Sequence, residues 1–302
     1  MSEGVLRIRK FAAIDIGSNA IRLLIQNVIE EQEKETKFKK SALIRIPVRL
    51  GEDAFTQGKI SETNTSRMLK TMKAFKLLMD VHGVEQYMAC ATSAMREATN
   101  GNQIIENIRK KSGIEITLID GKREAAIIAS TDLKLLIQKD QSYLYIDVGG
   151  GSTEFTIFSD SKIKKSKSFK IGTVRLLKDM VDKSIWNQIE VWIKENTKDL
   201  PKISIIGSGG NINKLHKLSG RKEGEALSYI WLNAQYRFLE SMSYEDRLSE
   251  LGLNPDRADV IIPATRIYLF AAKWSGAKKI HVPKIGLSDG IIKTLYYKES
   301  PK

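Results

Sequence analysis

Tyr145-Ile146-Asp147-Val148-Gly149-Gly150-Gly151-Ser152-Thr153-Glu154-Phe155-Thr156-Ile157 decides how the rest of this chain is read. An apolar run ends at Asp147, three consecutive glycines make a turn, and Thr153, Phe155 and Ile157 alternate along a second run, so a β-hairpin is expected. Glycine has no Cβ, which lets backbone N–H groups converge on an anion, and Ser152 and Thr153 add hydroxyl donors. Asp147 ends the first strand, where a carboxylate can hold a divalent cation against the same phosphate. An ordinary Gly-rich hairpin carries the same signature, and this stretch alone leaves both readings open.

An earlier copy shifts the balance. Ile14-Asp15-Ile16-Gly17-Ser18-Asn19-Ala20-Ile21-Arg22-Leu23-Leu24-Ile25 aligns without gaps on Ile146 to Ile157, with Asp15 on Asp147 and Gly17 on Gly149. Two Asp-x-Gly hairpins 132 residues apart point to a duplicated unit with a cleft between the copies. Phosphate gripped from both sides becomes the favoured reading.

Composition bounds what the duplicated unit can serve. A chain of 302 residues with 42% apolar and 28% charged residues is that of a soluble globular protein of about two domains. A net charge of +13 calls for polyanions nearby: nucleic acid, an acidic membrane or a polyphosphorylated substrate. The single Cys90 cannot form an intrachain disulfide, which fits a reducing cytoplasm, and a small buried hydrophobe is its best reading. His82, His216 and His281 are scattered, without zinc spacing. Phe11 to Ile16 is too short for a signal core, and Val260 to Trp274 is broken by Pro263, Arg266 and Lys273, so no membrane span is expected.

Outward from the two hairpins the pattern repeats. Phe11–Ile16 and Ile21–Ile29 read as strands, Glu30–Lys40 as an exposed turn, and Ser41–Val48 as a third strand. Met68, Met72, Phe75 and Met79 recur at helical spacing between Ser61 and Gly83, a core-packing stripe. Strand Val84–Ala91, helix Ala98–Lys111, strand Ile114–Ile119 and helix Lys122–Gln138 follow. The second half repeats the order with strands Tyr143–Asp147, Thr153–Ser159 and Lys162–Phe169, then helices Val174–Val181 and Ile185–Asn196. Strand Ile203–Ile206 and helix Gly209–Leu218 come next. The lysines of Lys162–Lys170 read as a solvated edge strand that discourages pairing. Three strands followed by alternating helix and strand, twice over, predict an α/β chain of two ribonuclease-H-like lobes, residues 1–125 and 126–302. Helices at Glu225–Ser241, Tyr244–Leu251 and Arg257–Ser275 read as additions to the second lobe, before strand Ile280–Val282 and helix Leu287–Tyr297.

Three further turns carry candidate chemistry. Thr92 and Ser93 follow a strand and can donate to phosphate, with Arg96 one turn on as a two-bond clamp. A helix cap with a surface arginine is the plainer alternative. Gly207-Ser208-Gly209-Gly210 opens a helix, whose free N–H groups favour anions. Glu124 lies in the first turn of a helix near the lobe boundary, where it serves either the helix dipole or general-base work.

Together these pieces resemble the exopolyphosphatase/guanosine pentaphosphate phosphohydrolase family of the actin-like ATPase superfamily. The matching segments are Ala12 to Asn19, Ala91 to Ala98, Gly121 to Ala125, Ile146 to Glu154, Ile171 to Leu176, Gly207 to Gly210 and Arg257 to Val260, in family order over nearly the whole chain. The resemblance implies Glu124 as the base that activates the attacking water, and Asp147 and Glu154 as ligands or orienters of Mg²⁺. It implies a phosphate cradle of Ser18, Asn19, Arg96, Gly149, Gly150, Gly151, Ser152, Gly209 and Gly210. Four departures stand out: Ala20 where a hydroxyl is usual, Arg123 where a first glutamate is common, Thr173 for a frequent cysteine and Ser288 for a frequent arginine. They are expected to change substrate preference and not to abolish activity. Long family members carry extra helical domains, and this chain resembles the short form.

The expected activity is removal of the terminal phosphate from inorganic polyphosphate, with guanosine pentaphosphate as the alternative substrate. An actin-like kinase and a basic nucleic-acid-binding scaffold are the readings from other classes. Nucleic acid is disfavoured because aromatic–basic interleaving is missing. Membranes are not expected partners, and a homodimer is among the expected assemblies.

Overall fold

Arg7–Ile16 (β1) shows no in–out alternation beyond Lys10, because both faces of its second half are covered and every side chain from Phe11 to Ile16 is buried. Such a strand belongs at the centre of a sheet. The computed structural model describes residues 6–129, 131, 141–200 and 202–299. In it β1 is the middle strand of a five-stranded sheet ordered β3-β2-β1-β4-β5. Ile21–Glu30 (β2) and Lys37–Ile46 (β3) pair antiparallel, whereas Gln86–Ala91 (β4) and Ile116–Leu118 (β5) run parallel to β1. A bulge at Ile25/Gln26 interrupts the β2–β3 register.

The helices of this unit are Leu50–Gln57 (α1), Glu62–His82 (α2), Ser93–Glu97 (α3), Gly101–Ser112 (α4) and Gly121–Ala129 (α5). In α2 the expected stripe of Met68, Met72, Phe75 and Met79 is buried against β1, β2 and α1 residues in one core. Ser61 accepts from Asn64 N–H at 3.2 Å as N-cap, and Gly83 ends the helix in the left-handed conformation that spares glycine a steric penalty. Removing the Phe75 ring from this packing would cost about 3–5 kcal/mol.

The second unit repeats the plan. Its six-stranded sheet is ordered β10-β11-β9-β6-β7-β8. Ser142–Val148 (β6), Thr153–Ser159 (β7) and Lys162–Phe169 (β8) form the antiparallel part, and Ile203–Ser208 (β9) and Lys279–His281 (β11) run parallel to β6. Leu227–Ser228 (β10) adds an antiparallel edge. The helices are Thr173–Leu177 (α6), Lys183–Thr197 (α7), Gly210–Leu218 (α8), Tyr229–Ser241 (α9), Tyr244–Ser249 (α10), Pro255–Ala258 (α11) and Ile261–Ser275 (α12). Leu232, Leu239, Ile261 and Tyr268 are buried with Ile146, Phe155 and Ile205, so the added helices complete the core of the second sheet. Both sheets have the mixed ribonuclease-H-like order.

Several expectations need correction. The structure divides into Met1–Thr131 with Leu287–Lys302, and Asp132–Gly286, so the division at 125 with 126–302 as one lobe does not describe it. The last helix, Leu287–Glu299 (α13), belongs to the first unit. Asp289 of that helix accepts from Gln26 Nε2 at 2.9 Å and lies 3.0 Å from Lys40 Nζ, and Tyr296 packs edge-on against Phe11 and Phe38. A cap near residue 121 is a local signal, whereas the allegiance of a helix 160 residues later is not. β3 begins at Lys37, inside the stretch expected as a turn, and α1 fills residues to which no element had been assigned. The expected helix Ala98–Lys111 starts later, at Gly101, because Asn100 turns to bond Ile60 N–H and C=O at 2.9 and 2.8 Å. The expected helix Lys122–Gln138 is α5 up to Ala129, and its remainder lies outside the described residues apart from Thr131. Glu225–Ser241 is a short strand and then a helix. Among the described residues no helix is long and apolar enough to cross a membrane.

Candidate active site

In the first unit the candidate residues gather at the carboxyl ends of β1, β4 and β5, where crevices open in sheets of this kind. Asp15 and Cys90 are neighbours in the β1–β4 register. Asp15 is buried, and Arg22 Nη1 donates to its Oδ2 at 3.1 Å. Burial outweighs the arginine's charge and hydrogen bond, so the carboxyl is held above its ordinary value. The Cys90 thiol is pushed up to about 12 by burial, then by the carboxylates of Asp15 and Glu124. Glu124 therefore shares one electrostatic neighbourhood with Asp15, and Cys90 is an inert thiol.

The turn bearing Glu124 is held from two sides. Asp120 Oδ1 accepts from Arg123 N–H at 2.8 Å and caps α5, and Arg96 Nη1 donates to Ile119 C=O at 2.6 Å. Arg96 is exposed, so its guanidinium both braces this turn and faces solvent. Ser18 Oγ lies 3.0 Å from Ser93 Oγ, joining the Asp15 turn to the Thr92-Ser93 turn. Its main-chain oxygen accepts from Gly51 N–H at 2.7 Å, and a Cβ on Gly51 would stand 2.9 Å from Ser18 Cβ. Asn19 C=O accepts from Arg49 N–H at 2.9 Å, and Arg49 sits in the left-handed region at φ 58°.

In the second unit Asp147 and Glu154 stand directly opposite each other in the β6–β7 register. Glu154 is buried, and its Oε1 accepts from Ser152 Oγ at 2.7 Å and Ser168 Oγ at 2.8 Å. The Gly149–Gly151 turn lies on the start of α6: Thr173 N–H donates to Gly149 C=O at 3.0 Å and Val174 N–H to Gly150 C=O at 2.9 Å. Buried Arg175 donates through Nε to Gly151 C=O at 2.8 Å. This contact requires Gly172, because a Cβ there would stand 2.4 Å from the Gly150 carbonyl. Gly209 takes φ 108°, and a Cβ on it would be 3.5 Å from Asp147 Oδ1, so this second glycine turn adjoins the first. Arg257 donates to Gly210 C=O. Beneath both turns, fully buried Tyr268 donates its hydroxyl to the carbonyls of Ile146 and Ser208. Burial and then the Asp147 charge hold that hydroxyl well above its ordinary value.

Register brings out a correspondence that the linear repeat only hints at. Asp15, Arg22 and Arg45 form one row across β1, β2 and β3, and Asp147, Glu154 and Ser168 form the equivalent row across β6, β7 and β8. The repeat had already aligned Arg22 with Glu154, a signal that sequence reasoning passed over. Side chains opposite each other in an antiparallel pair share a face. One copy thus sets two cations beside a carboxylate, and the other sets two carboxylates beside a hydroxyl.

The oxygen-only donor pair of Asp147 and Glu154 fits a hard divalent cation that keeps several waters. Among the described residues no group of three or more His, Cys, Asp or Glu is placed to hold a metal ion. Ser18, Asn19, Arg96 and Glu124 are thus brought together in the first unit, and Asp147, Gly149, Gly150, Gly151, Ser152, Glu154, Gly209 and Gly210 in the second. Ser18, expected in the phosphate cradle, has its hydroxyl 3.0 Å from Ser93 Oγ, and Ser152, expected as a hydroxyl donor to phosphate, donates to Glu154 Oε1. Arg22, Arg45, Arg175 and Tyr268 were not singled out from sequence.

Residues 28–299 match the model of the Ppx/GppA phosphatase family. The chain belongs to that family. It is 33% identical over 287 residues to a bifunctional 3-dehydroquinate synthase/phosphatase of Fusobacterium nucleatum, covering 85% of this chain and 42% of that protein. It thus spans less than half of that relative. It is 21% identical over 304 residues to exopolyphosphatase 1 of Mycobacterium bovis, covering 94% of this chain and 87% of the relative. A crystal structure described as an exopolyphosphatase from Cytophaga hutchinsonii superposes with a TM-score of 0.82 at 25% identity, covering 97% of this chain and 98% of the other. The Ppx/GppA match begins beyond the Asp15 turn, so that turn's assignment rests on the internal repeat and on register.

Proposed function

We propose that this Ppx/GppA protein is an exopolyphosphatase that hydrolyses the terminal phosphoanhydride bond of inorganic polyphosphate. The observation that carries the reading is the pair of equivalent rows, one cationic and one carboxylate, each beside its own Gly turn. Phosphoryl transfer needs positioning and charge neutralisation more than covalent chemistry from the protein. The Mycobacterium bovis exopolyphosphatase, matched along most of its length, supports the choice of substrate.

Glu124 accepts the proton of a water whose oxygen forms the new bond to the terminal phosphorus. The bridging P–O bond breaks, and its electron pair leaves with the shortened chain. In the first unit Arg96, Arg22 and Arg45 are cations that attract phosphate oxygens; in the second, the N–H groups of Gly149 to Ser152 and of Gly209 and Gly210 are donors suited to the same oxygens. Asp147 and Glu154 would hold Mg²⁺, which supplies neutralisation of phosphate charge when bound. Arg175 and Tyr268 keep the two glycine turns at fixed spacing from below. A single buried cysteine suits a reducing cytoplasm as the place of action.

Phosphate release from long-chain polyphosphate and from guanosine pentaphosphate, measured side by side with and without Mg²⁺, tests this. Faster Mg²⁺-dependent release from polyphosphate is expected. Preference for guanosine pentaphosphate would move the assignment to the alternative substrate, and release from neither would overturn the hydrolase reading.

A further inference from the structure

β8 is the outer strand of the second sheet, paired on one side with β7. Every residue from Lys162 to Ser168 is exposed, and Phe169 anchors the strand in the core. Lys162, Lys164, Lys165 and Lys167 lie along it and Lys170 follows, and no carboxylate occurs between Ser161 and Lys178. Asp160, at the far end, pairs with Lys164 at 3.0 Å. Among the described residues Lys162, Lys165 and Lys167 have no salt bridge. Lys167 instead lies over the Phe169 ring. The bulge at Ile157/Phe158 leaves Lys164 as the extra residue of the ladder, between Ile163 and Lys165. A bulge raises local twist and splays neighbouring side chains.

Protection of an edge strand needs a lysine or two. Four in six positions is more than that purpose requires, and their mutual repulsion is a standing cost unless an anion relieves it. The strand also has a direction. Its carboxyl end carries Ser168, which bonds Glu154 at 2.8 Å, whereas Lys167, Lys165 and Lys162, opposite Phe155, Ile157 and Ser159, lie along the other face of the strand. From Ser168 back to Lys162 the strand spans about 20 Å at roughly 3.4 Å per residue. Outward-facing backbone N–H groups of an edge strand add donors along the same line.

We propose that β8 is a binding rail for the distal phosphates of a linear inorganic polyphosphate, distinct from the residues that hold the terminal group. This rests on the exopolyphosphatase reading for its substrate. A single-stranded nucleic acid is the other linear polyanion of suitable charge. It is disfavoured because the exposed residues of β8 include no aromatic ring on which a base could stack.

The test is a variant with Lys162, Lys164, Lys165 and Lys167 each replaced by Thr, which keeps strand propensity. Direct binding of long-chain polyphosphate and of tripolyphosphate is measured across a salt series. Long-chain affinity is expected to fall about tenfold or more, with a shallower salt slope as contacts are lost, while tripolyphosphate binding changes less than about twofold. Equal loss for both ligands, or loss for neither, would overturn the rail. Equal binding of a single-stranded oligonucleotide to the native chain, lost in the same variant, would reassign the surface to nucleic acid. Should the fourfold variant lose its native circular dichroism, Lys165→Glu alone is measured in the same assays with the same criteria. Because binding is read without turnover, a chain that releases no phosphate would refute the proposed activity and leave the rail separately decided.

Discussion

Glu124 and Asp15 are both carboxylates beside Cys90, yet their surroundings assign them different work. Glu124 is partly exposed at a helix start, where a water and a substrate can reach it. Glu124→Gln keeps size and hydrogen bonding but cannot take a proton at neutral pH. Turnover is expected to fall roughly a hundredfold or more, with polyphosphate affinity within a few-fold, as single-turnover kinetics and direct binding would measure. Near-normal turnover in the folded variant would remove Glu124 as the base. Asp15 is buried beside one arginine and keeps its proton above the ordinary carboxyl value of 3.8. The unfolded chain releases that proton first as pH rises, so this group's contribution to stability is full below about pH 4 and is lost on going to neutral pH. Asp15→Asn should therefore melt higher than the native chain at pH 7 to 8, with the difference shrinking toward pH 4. A constant difference across that range, or a lower melting point at pH 7, would show that the Arg22 pairing outweighs burial.

At the scale of elements, the contact between α13 and α5 is the most demanding. A Cβ on Gly290 would stand 2.3 Å from the Ile127 carbonyl, one turn beyond Glu124. Alanine gains about 1 kcal/mol over glycine in a helix interior. Overpacking against backbone costs about 1–3 kcal/mol or more, so the clash should win. Gly290→Ala is expected to lower the melting temperature and to reduce kcat about tenfold by moving α5, leaving KM nearly unchanged. A higher melting temperature with native kcat would show that the helices separate freely. Elements of this kind were unevenly legible in the sequence. α2 could be read because its methionine stripe, Ser61 cap and Gly83 stop are all local. The paired hairpins could be read because the Asp-x-Gly turn occurs twice. α1 could not: it starts after Arg49 in a left-handed conformation that non-glycine residues rarely adopt, with no side-chain cap. β10 is two residues long, below the reach of any periodicity. In the candidate site, residue types at the turns were readable, whereas the Ser152 and Ser168 bonds to Glu154 depend on register across three strands.

For the whole molecule, two separate cores mean that the two units can be observed separately. All four tryptophans, Trp186, Trp192, Trp231 and Trp274, pack on the core of the second unit. Their fluorescence therefore reports the unit that carries Asp147 and Glu154. Mg²⁺ at a hundred times its dissociation constant should stabilise that unit by about 2.7 kcal/mol, seen as a higher tryptophan-detected melting temperature. The rise should disappear in the double variant Asp147→Asn, Glu154→Gln. Its persistence there would place the cation elsewhere. The return of α13 to the first unit has a consequence for biosynthesis. A ribosome releases β1, β2 and β3 early, but Tyr296, the ring that packs on Phe11 and Phe38, follows only after Asp132–Gly286 has been made. At about 5–20 residues per second that wait is roughly twelve to fifty seconds, with an apolar sheet face uncovered. The inserted unit has all its strands once residue 281 has emerged, so the half of the protein begun second is the half that can finish first.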